Sequence, residues 1–223
     1  MAASSVWPLI HGERAALAAD LAGLTDEQWA TASLCPGWSV RDVLGHLTAT
    51  AKMTPGAFFV HLAQARFRFH DMSDQLIAAE ATAVPADGLT EFRKHLGDTT
   101  HPPGPVGAML GEAVVHGEDI RRPLGIKRDY PPEAVTRAAN FLKGSNLLIG
   151  SKRRIAGLGL RANDLEWATG SGPEVTGPAI SLLMAMTGRA AALDDLSGEG
   201  VATLRSRMSA GPPTSGMDPR DGA

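Results

Sequence analysis

Apolar residues recur at helical spacing through the first two thirds of the chain. In VWPLIHGERAALAADLAGL, Leu9, Ala16, Leu17, Leu21 and Leu24 fall near one stripe and Gly23 lies near its end, which predicts an amphipathic first helix. Thr25, Asp26 and Glu27 then form a short capped turn anchored by Trp29. Pro36 and Gly37 make SLCPGWSV a loop, and Ser39 caps the next helix with Asp42 at its third position. That helix is predicted from Val40 to near Phe69, kinked or split by Pro55 and Gly56.

A further helical pattern in DMSDQLIAAEATA leads to a Pro, Gly and Thr-rich loop around LGDTTHPPGPVG. The next helix runs from Val106 to about Arg122 and is stopped by Pro123 and Gly125; the tandem Pro131 and Pro132 open another through Leu148. From about Arg154 the period changes. GLGLRAND, LEWATG and PEVTG are short segments bounded by turn residues and predict small antiparallel strands, followed by an apolar helix in PAISLLMAMTGRAAAL that closes over them. The domain organisation expected is a helical bundle over 1–150, a small α+β domain over 151–205 and a disordered tail over 206–223.

Hydrophobic residues make up 43% of the 223 and charged residues 20%, enough for a real core. The net charge of −3 supplies no basic footprint for nucleic acid. No apolar run approaches the roughly 20 residues that cross a bilayer, and the N-terminus has no signal-peptide pattern, so a cytoplasmic protein without membrane or nucleic-acid partners is expected. The single cysteine, Cys35, excludes an intrachain disulfide and a cysteine-rich zinc cluster. Its position before Pro36 and Gly37 fits a small residue packed beneath a turn better than a catalytic thiol.

Candidate chemistry rests on His46 in SVRDVLGHLTAT and on Glu112 and His116 in GEAVVHGEDI. Residues four apart share one helix face, so Glu112 and His116 can reach one ion, and His46 would come to it from a second helix. Two imidazoles and a carboxylate, with a fourth place open, match a catalytic zinc. By spacing alone such a pair is more often an i,i+4 surface contact or part of a capped polar face than a metal site. Trp38 reads as a packing anchor at the turn. The charged run Glu118, Asp119, Arg121 and Arg122 reads as helix-end ion pairing.

Three stretches in order, LTDEQWATASLCPGWSVRDVLGHL, EAVVHGEDIRRPLG and LEWATGSGPEVTGPAISLLMAMTGR, resemble the mycothiol-dependent maleylpyruvate isomerase family. The resemblance spans most of residues 8 to 200. It implies a mainly α, DinB-like four-helix bundle with a small C-terminal α+β domain. His46, Glu112 and His116 would hold a divalent metal, usually zinc, and an arginine of the C-terminal part would serve catalysis, aligned with Arg189 or alternatively Arg161. Mycothiol would be the thiol cosubstrate, its sulfur activated on the zinc to attack a small electrophile in an isomerase or transferase reaction. A non-catalytic metal- or ligand-binding module and a metal-dependent hydrolase are the alternatives. TPGAFFVHLAQARFRF is a candidate homodimer face, equally accounted for by internal packing of Phe58, Phe59 and Phe67.

Overall fold

The computed structural model describes residues 5–81, 84–146 and 149–209. The chain divides into two compact units, Met1–Phe141 and Leu142–Ala223. The first is all helical: α1 (Trp7–Asp20), α2 (Asp26–Trp29), α3 (Val40–Lys52), α4 (Pro55–Gln64), α5 (Phe69–Glu80), α6 (Pro85–Lys94), α7 (Gly107–Leu124) and α8 (Pro132–Leu142), the last ending at the unit boundary.

Capping residues set several of these limits. Ser39 Oγ accepts from Asp42 N–H at 3.3 Å while the Asp42 carboxylate accepts from Ser39 N–H at 2.8 Å, so both early orphan donors of α3 are satisfied. Thr25 and Gln28 repeat the device on α2. The long helix expected from Val40 to Phe69 is three pieces. Met53 is extended, and Thr54 caps α4 ahead of Pro55, whose ring cannot continue a helix. Arg66 and Phe67 then sit at φ 53° and 62°, a left-handed break that separates α4 from α5.

One core joins α1, α3, α6 and α7: Leu17, Ala18 and Leu21 meet Val40, Val43, Leu44 and Leu47, with Leu89 and Phe92 of α6 and Ile120 of α7. Each such side chain contributes about 1.5–3 kcal/mol by leaving water. Helix α6 was absent from the sequence-derived elements; Pro85 at its first position and the Leu89/Phe92 spacing are its signals. Helix α5 packs on α3 at Gly45, where an added Cβ would lie 3.2 Å from Ala81 N and 3.3 Å from Ile77 O. Phe59 and Phe67 are exposed, which removes the internal-packing account for those two; Phe58 meets Phe59 edge to face and lies beside Phe69 at a tilt.

A buried ion network sets the C-terminal half of α7. Arg121, fully buried, donates through Nε to Asp20 at 2.7 Å and through Nη1 to the Tyr130 hydroxyl at 2.8 Å; Tyr130 in turn donates to Glu118 at 2.9 Å. Arg122 pairs with Glu118 at 2.8 Å. Burial pushes the Tyr130 hydroxyl far above its ordinary pKa, so it stays a donor. Gly125, at φ 67°, ends the helix with its N–H on the Arg122 carbonyl.

In the second unit, α9 (Ser151–Arg154) precedes β1 (Gly159–Ala162), β2 (Ala168–Gly170) and β3 (Glu174–Gly177), then α10 (Ala179–Met186), a 3-10 turn over Ala190–Asp195 and α11 (Val201–Ser209). The sheet order is β2-β1-β3. Only β1 and β2 are antiparallel; β3 pairs parallel to β1, which corrects the all-antiparallel expectation. The short link from Gly170 to Glu174 passes the start of β1, since both residues pair with Gly159, so β3 begins at the same end as β1 and runs parallel to it. Helix α10 packs on β1 and β3 as expected but stops at Thr187, because Gly188 turns to φ 95°. The helix expected through Leu148 ends at Leu142, and Leu148 lies outside the described residues. Ser206–Ser209 belong to α11, and the remainder of the expected tail, 210–223, lies outside the described residues. Among the described residues no helix is long and apolar enough to cross a membrane.

Gly45→Val is expected to destabilise the chain by about 1–3 kcal/mol, because the backbone of α5 must retreat. Gly12→Ala, inside α1 with nothing within 4 Å, should instead stabilise it by about 0.5–1 kcal/mol. Urea melts of both variants check the pair.

Candidate metal centre

Helices α3 and α7 of the first unit bring His46, Glu112 and His116 together. His46 Nε2 lies 3.5 Å from Glu112 Oε1, and the rings of His46 and His116 meet edge to face with centroids 4.9 Å apart. Their side chains are 17–20% exposed, open enough for a ligand to reach yet largely shielded from water.

Each of the three is held by neighbours. Trp38 lies beside His46 with ring centroids 5.3 Å apart, and it also packs on the core, as an anchor at the turn should. Thr50, one turn beyond His46, donates to Glu112 Oε1 and also to the carbonyls of His46 and Leu47. Arg14 of α1, 4% exposed, donates to the carbonyls of His95 and Asp98. Burial lowers its guanidinium pKa, against the opposing attraction of Glu112 and Asp98.

His116 has the strongest restraint. Its Nδ1 lies 2.9 Å from Asp119 Oδ2, and the Cys35 thiol donates to the same oxygen at 3.0 Å. Cys35 Sγ is 3.5 Å from His116 Nδ1. Asp119 is fully buried and Cys35 is 8% exposed. The donor atoms of Cys35, His116 and Asp119 all lie within 4.8 Å of one another, the one such grouping among the described residues; the donor atoms of His46, Glu112 and His116 do not all come so close. Burial pushes the His116 pKa down, but hydrogen bonding to Asp119 and Cys35 and the electrostatic attraction of those two residues outweigh it, raising the value to about 9.

Two expectations change. Cys35 is packed beneath the turn but is also a hydrogen-bonding member of the site. Asp119 leaves the helix-end ion pairs to Glu118, Arg121 and Arg122, and turns to His116 instead. Asp119 was in reach of sequence reasoning, since His116 and Asp119 stand three apart on one helix. Thr50 and Arg14 carried no comparable signal. Arg189 belongs to the second unit, ahead of the 3-10 turn, where Nη1 donates to the Thr187 carbonyl at 3.1 Å. Arg161 is exposed on β1 beside Glu174 at 3.4 Å.

Residues 10–100 match the model of the mycothiol maleylpyruvate isomerase N-terminal domain, a span that includes Cys35 and His46 but not α7. Two solved structures share the fold: a mycothiol-dependent maleylpyruvate isomerase and a histidine-to-alanine mutant of it. Each gives a TM-score of 0.58 at 14% identity, over 86% of this chain and 91% of that one. No curated protein matches.

The raised His116 value predicts a pH dependence in chelator-treated protein. The folded-state value lies above the 6.5 of an unperturbed histidine, so the protonated ring favours the folded state. That contribution is complete below about pH 6.5 and is lost as pH rises through about 9. Urea melts from pH 6 to 10 should show stability falling across this window, and Asp119→Ala should flatten the fall.

Proposed function

We propose that this chain is a metal-dependent, mycothiol-using isomerase or S-transferase, a reading supported by the match of residues 10–100 to the mycothiol maleylpyruvate isomerase N-terminal domain. Its metal would be held by His46, Glu112 and His116. The observation that carries this reading is the approach of His46 on α3 to two residues of α7, to Glu112 at 3.5 Å and to the His116 ring at 4.9 Å between centroids. Two ligands of a tetrahedral ion at about 2.0–2.1 Å stand about 3.3 Å apart. The 3.5 Å between His46 Nε2 and Glu112 Oε1 fits that spacing. His116 commits Nδ1 to Asp119, which leaves Nε2 as the nitrogen for a metal, the arrangement metal-ligating histidines adopt. Zinc suits this donor set best.

Such an ion would supply stabilisation of the thiolate of a thiol cosubstrate near neutral pH; addition of that sulfur to an electrophilic double bond and its loss after rotation would isomerise the substrate, whereas its retention would make the chain a transferase. The protein's own residues orient and shield. Thr50 keeps one Glu112 oxygen engaged, and Trp38 fixes the face of His46. The buried Arg14 places a positive charge near Glu112. Arg189 is the residue we assign to a substrate carboxylate or a developing enolate oxygen.

The Cys35, His116 and Asp119 grouping supports a second reading, a closed, non-catalytic metal site. It is weaker on physical grounds, because those donors already satisfy one another and Asp119 has no exposure.

Protein purified without chelator should carry stoichiometric zinc. His46→Ala and His116→Ala should lose it while keeping their helical circular dichroism. Mycothiol should perturb the visible spectrum of the cobalt-substituted chain; a spectrum indifferent to every thiol would select the closed site.

A further inference from the structure

The assignment of His46, Glu112 and His116 leaves unexplained why a fully buried carboxylate and the only cysteine meet on one ring nitrogen. A buried carboxylate needs donors, and Asp119 Oδ2 meets His116 Nδ1–H at 2.9 Å and the weaker Cys35 thiol at 3.0 Å. Its backbone is also engaged. In an uninterrupted helix the Asp119 carbonyl would accept from the residue four later, but that residue is Pro123, which has no N–H. The released carbonyl accepts instead from Leu34 N–H at 3.1 Å. The chain before the Cys35 turn is thereby fastened to α7 one residue away from the thiol. Within the turn, Cys35 N–H bonds the Ser33 hydroxyl at 3.1 Å, and Trp38 N–H bonds the Cys35 carbonyl at 3.1 Å. The thiol has one place to be, against Asp119.

We propose that Asp119 is the positioning residue of the metal centre and Cys35 its lock: the carboxylate holds His116 as the Nδ1–H form with Nε2 toward the ion, and the thiol stops the carboxylate from turning. This rests on the metal reading above. Neither residue is a ligand. Outer partners of this kind change metal affinity by about 10–100-fold, because a ring free to turn loses both its tautomer and its aim.

The test compares zinc affinity, by chelator competition, in the native chain and in Asp119→Ala, Asp119→Asn, Cys35→Ala and Cys35→Ser. Helical circular dichroism and the histidine ring ¹⁵N spectrum of the zinc-loaded proteins are recorded alongside. Asp119→Ala should weaken zinc by about 10–100-fold with helical content retained. Asp119→Asn should recover part of the loss, since its amide oxygen still accepts Nδ1–H. Cys35→Ala should lose less than Asp119→Ala, and Cys35→Ser, whose hydroxyl donates in place of the thiol, should restore it. In the native chain His116 should bind zinc through Nε2 with a proton on Nδ1. If Asp119→Ala fails to fold, Asp119→Asn and the Cys35 pair still decide the matter.

Zinc affinities in the variants equal to the native one overturn the proposal and leave the metal reading standing. So does coordination through Nδ1, or a sulfur-to-cobalt charge-transfer band in native protein without added thiol that disappears in Cys35→Ala, which would make Cys35 a ligand. A native chain that binds no zinc is seen before any variant is compared, and it overturns the metal reading and this proposal together.

Discussion

The carboxylate of Asp119 is the constraint on which the candidate site depends. Burying a carboxylate is costly unless it is hydrogen-bonded, and two donors from different parts of the first unit, a thiol in a turn and an imidazole on α7, reach its Oδ2. Because the cost of breaking this arrangement is high, the turn around Cys35 and the ring of His116 are fixed relative to each other. A site built this way is preorganised by the fold and does not depend on a ligand to assemble it.

A second buried network keeps α7 itself from rotating. Arg121, Tyr130, Glu118 and Asp20 tie the helix to α1 and to the segment that follows it, on turns adjacent to His116. Removing one member of a buried, paired set costs about 3–5 kcal/mol. Gly117 permits it: an added Cβ would lie 2.7 Å from Arg121 Nη1. Rotation of α7 by even one residue would carry Glu112 and His116 away from His46. Along GEDIRR, Asp119 thus turns to His116 while Glu118, Arg121 and Arg122 hold the helix.

Much of the helical architecture was legible in local chemistry. The Ser39 and Asp42 capping box, the stop at Gly125 and the first amphipathic helix follow from residue types at fixed offsets, and local interactions of that kind do not need the rest of the chain. Helix α6 escaped because its two buried anchors, Leu89 and Phe92, stand among polar residues whose pattern is too short to declare a period. The parallel pairing of β3 escaped because strand direction is decided by where the chain returns, which residue types do not encode.

The sequence by itself determined which helices carry His46, Glu112 and His116, because the i,i+4 spacing of Glu112 and His116 and the cap before His46 are local facts. It also determined, through Pro123, that one carbonyl of α7 would lack its helical partner. Only the tertiary structure decided who takes that carbonyl, that Cys35 is aimed at Asp119, and that Thr50 and Arg14 attend Glu112. Those contacts join residues tens of positions apart, brought together by the packing of α1, α3 and α7 on one core, and no local pattern records such a meeting.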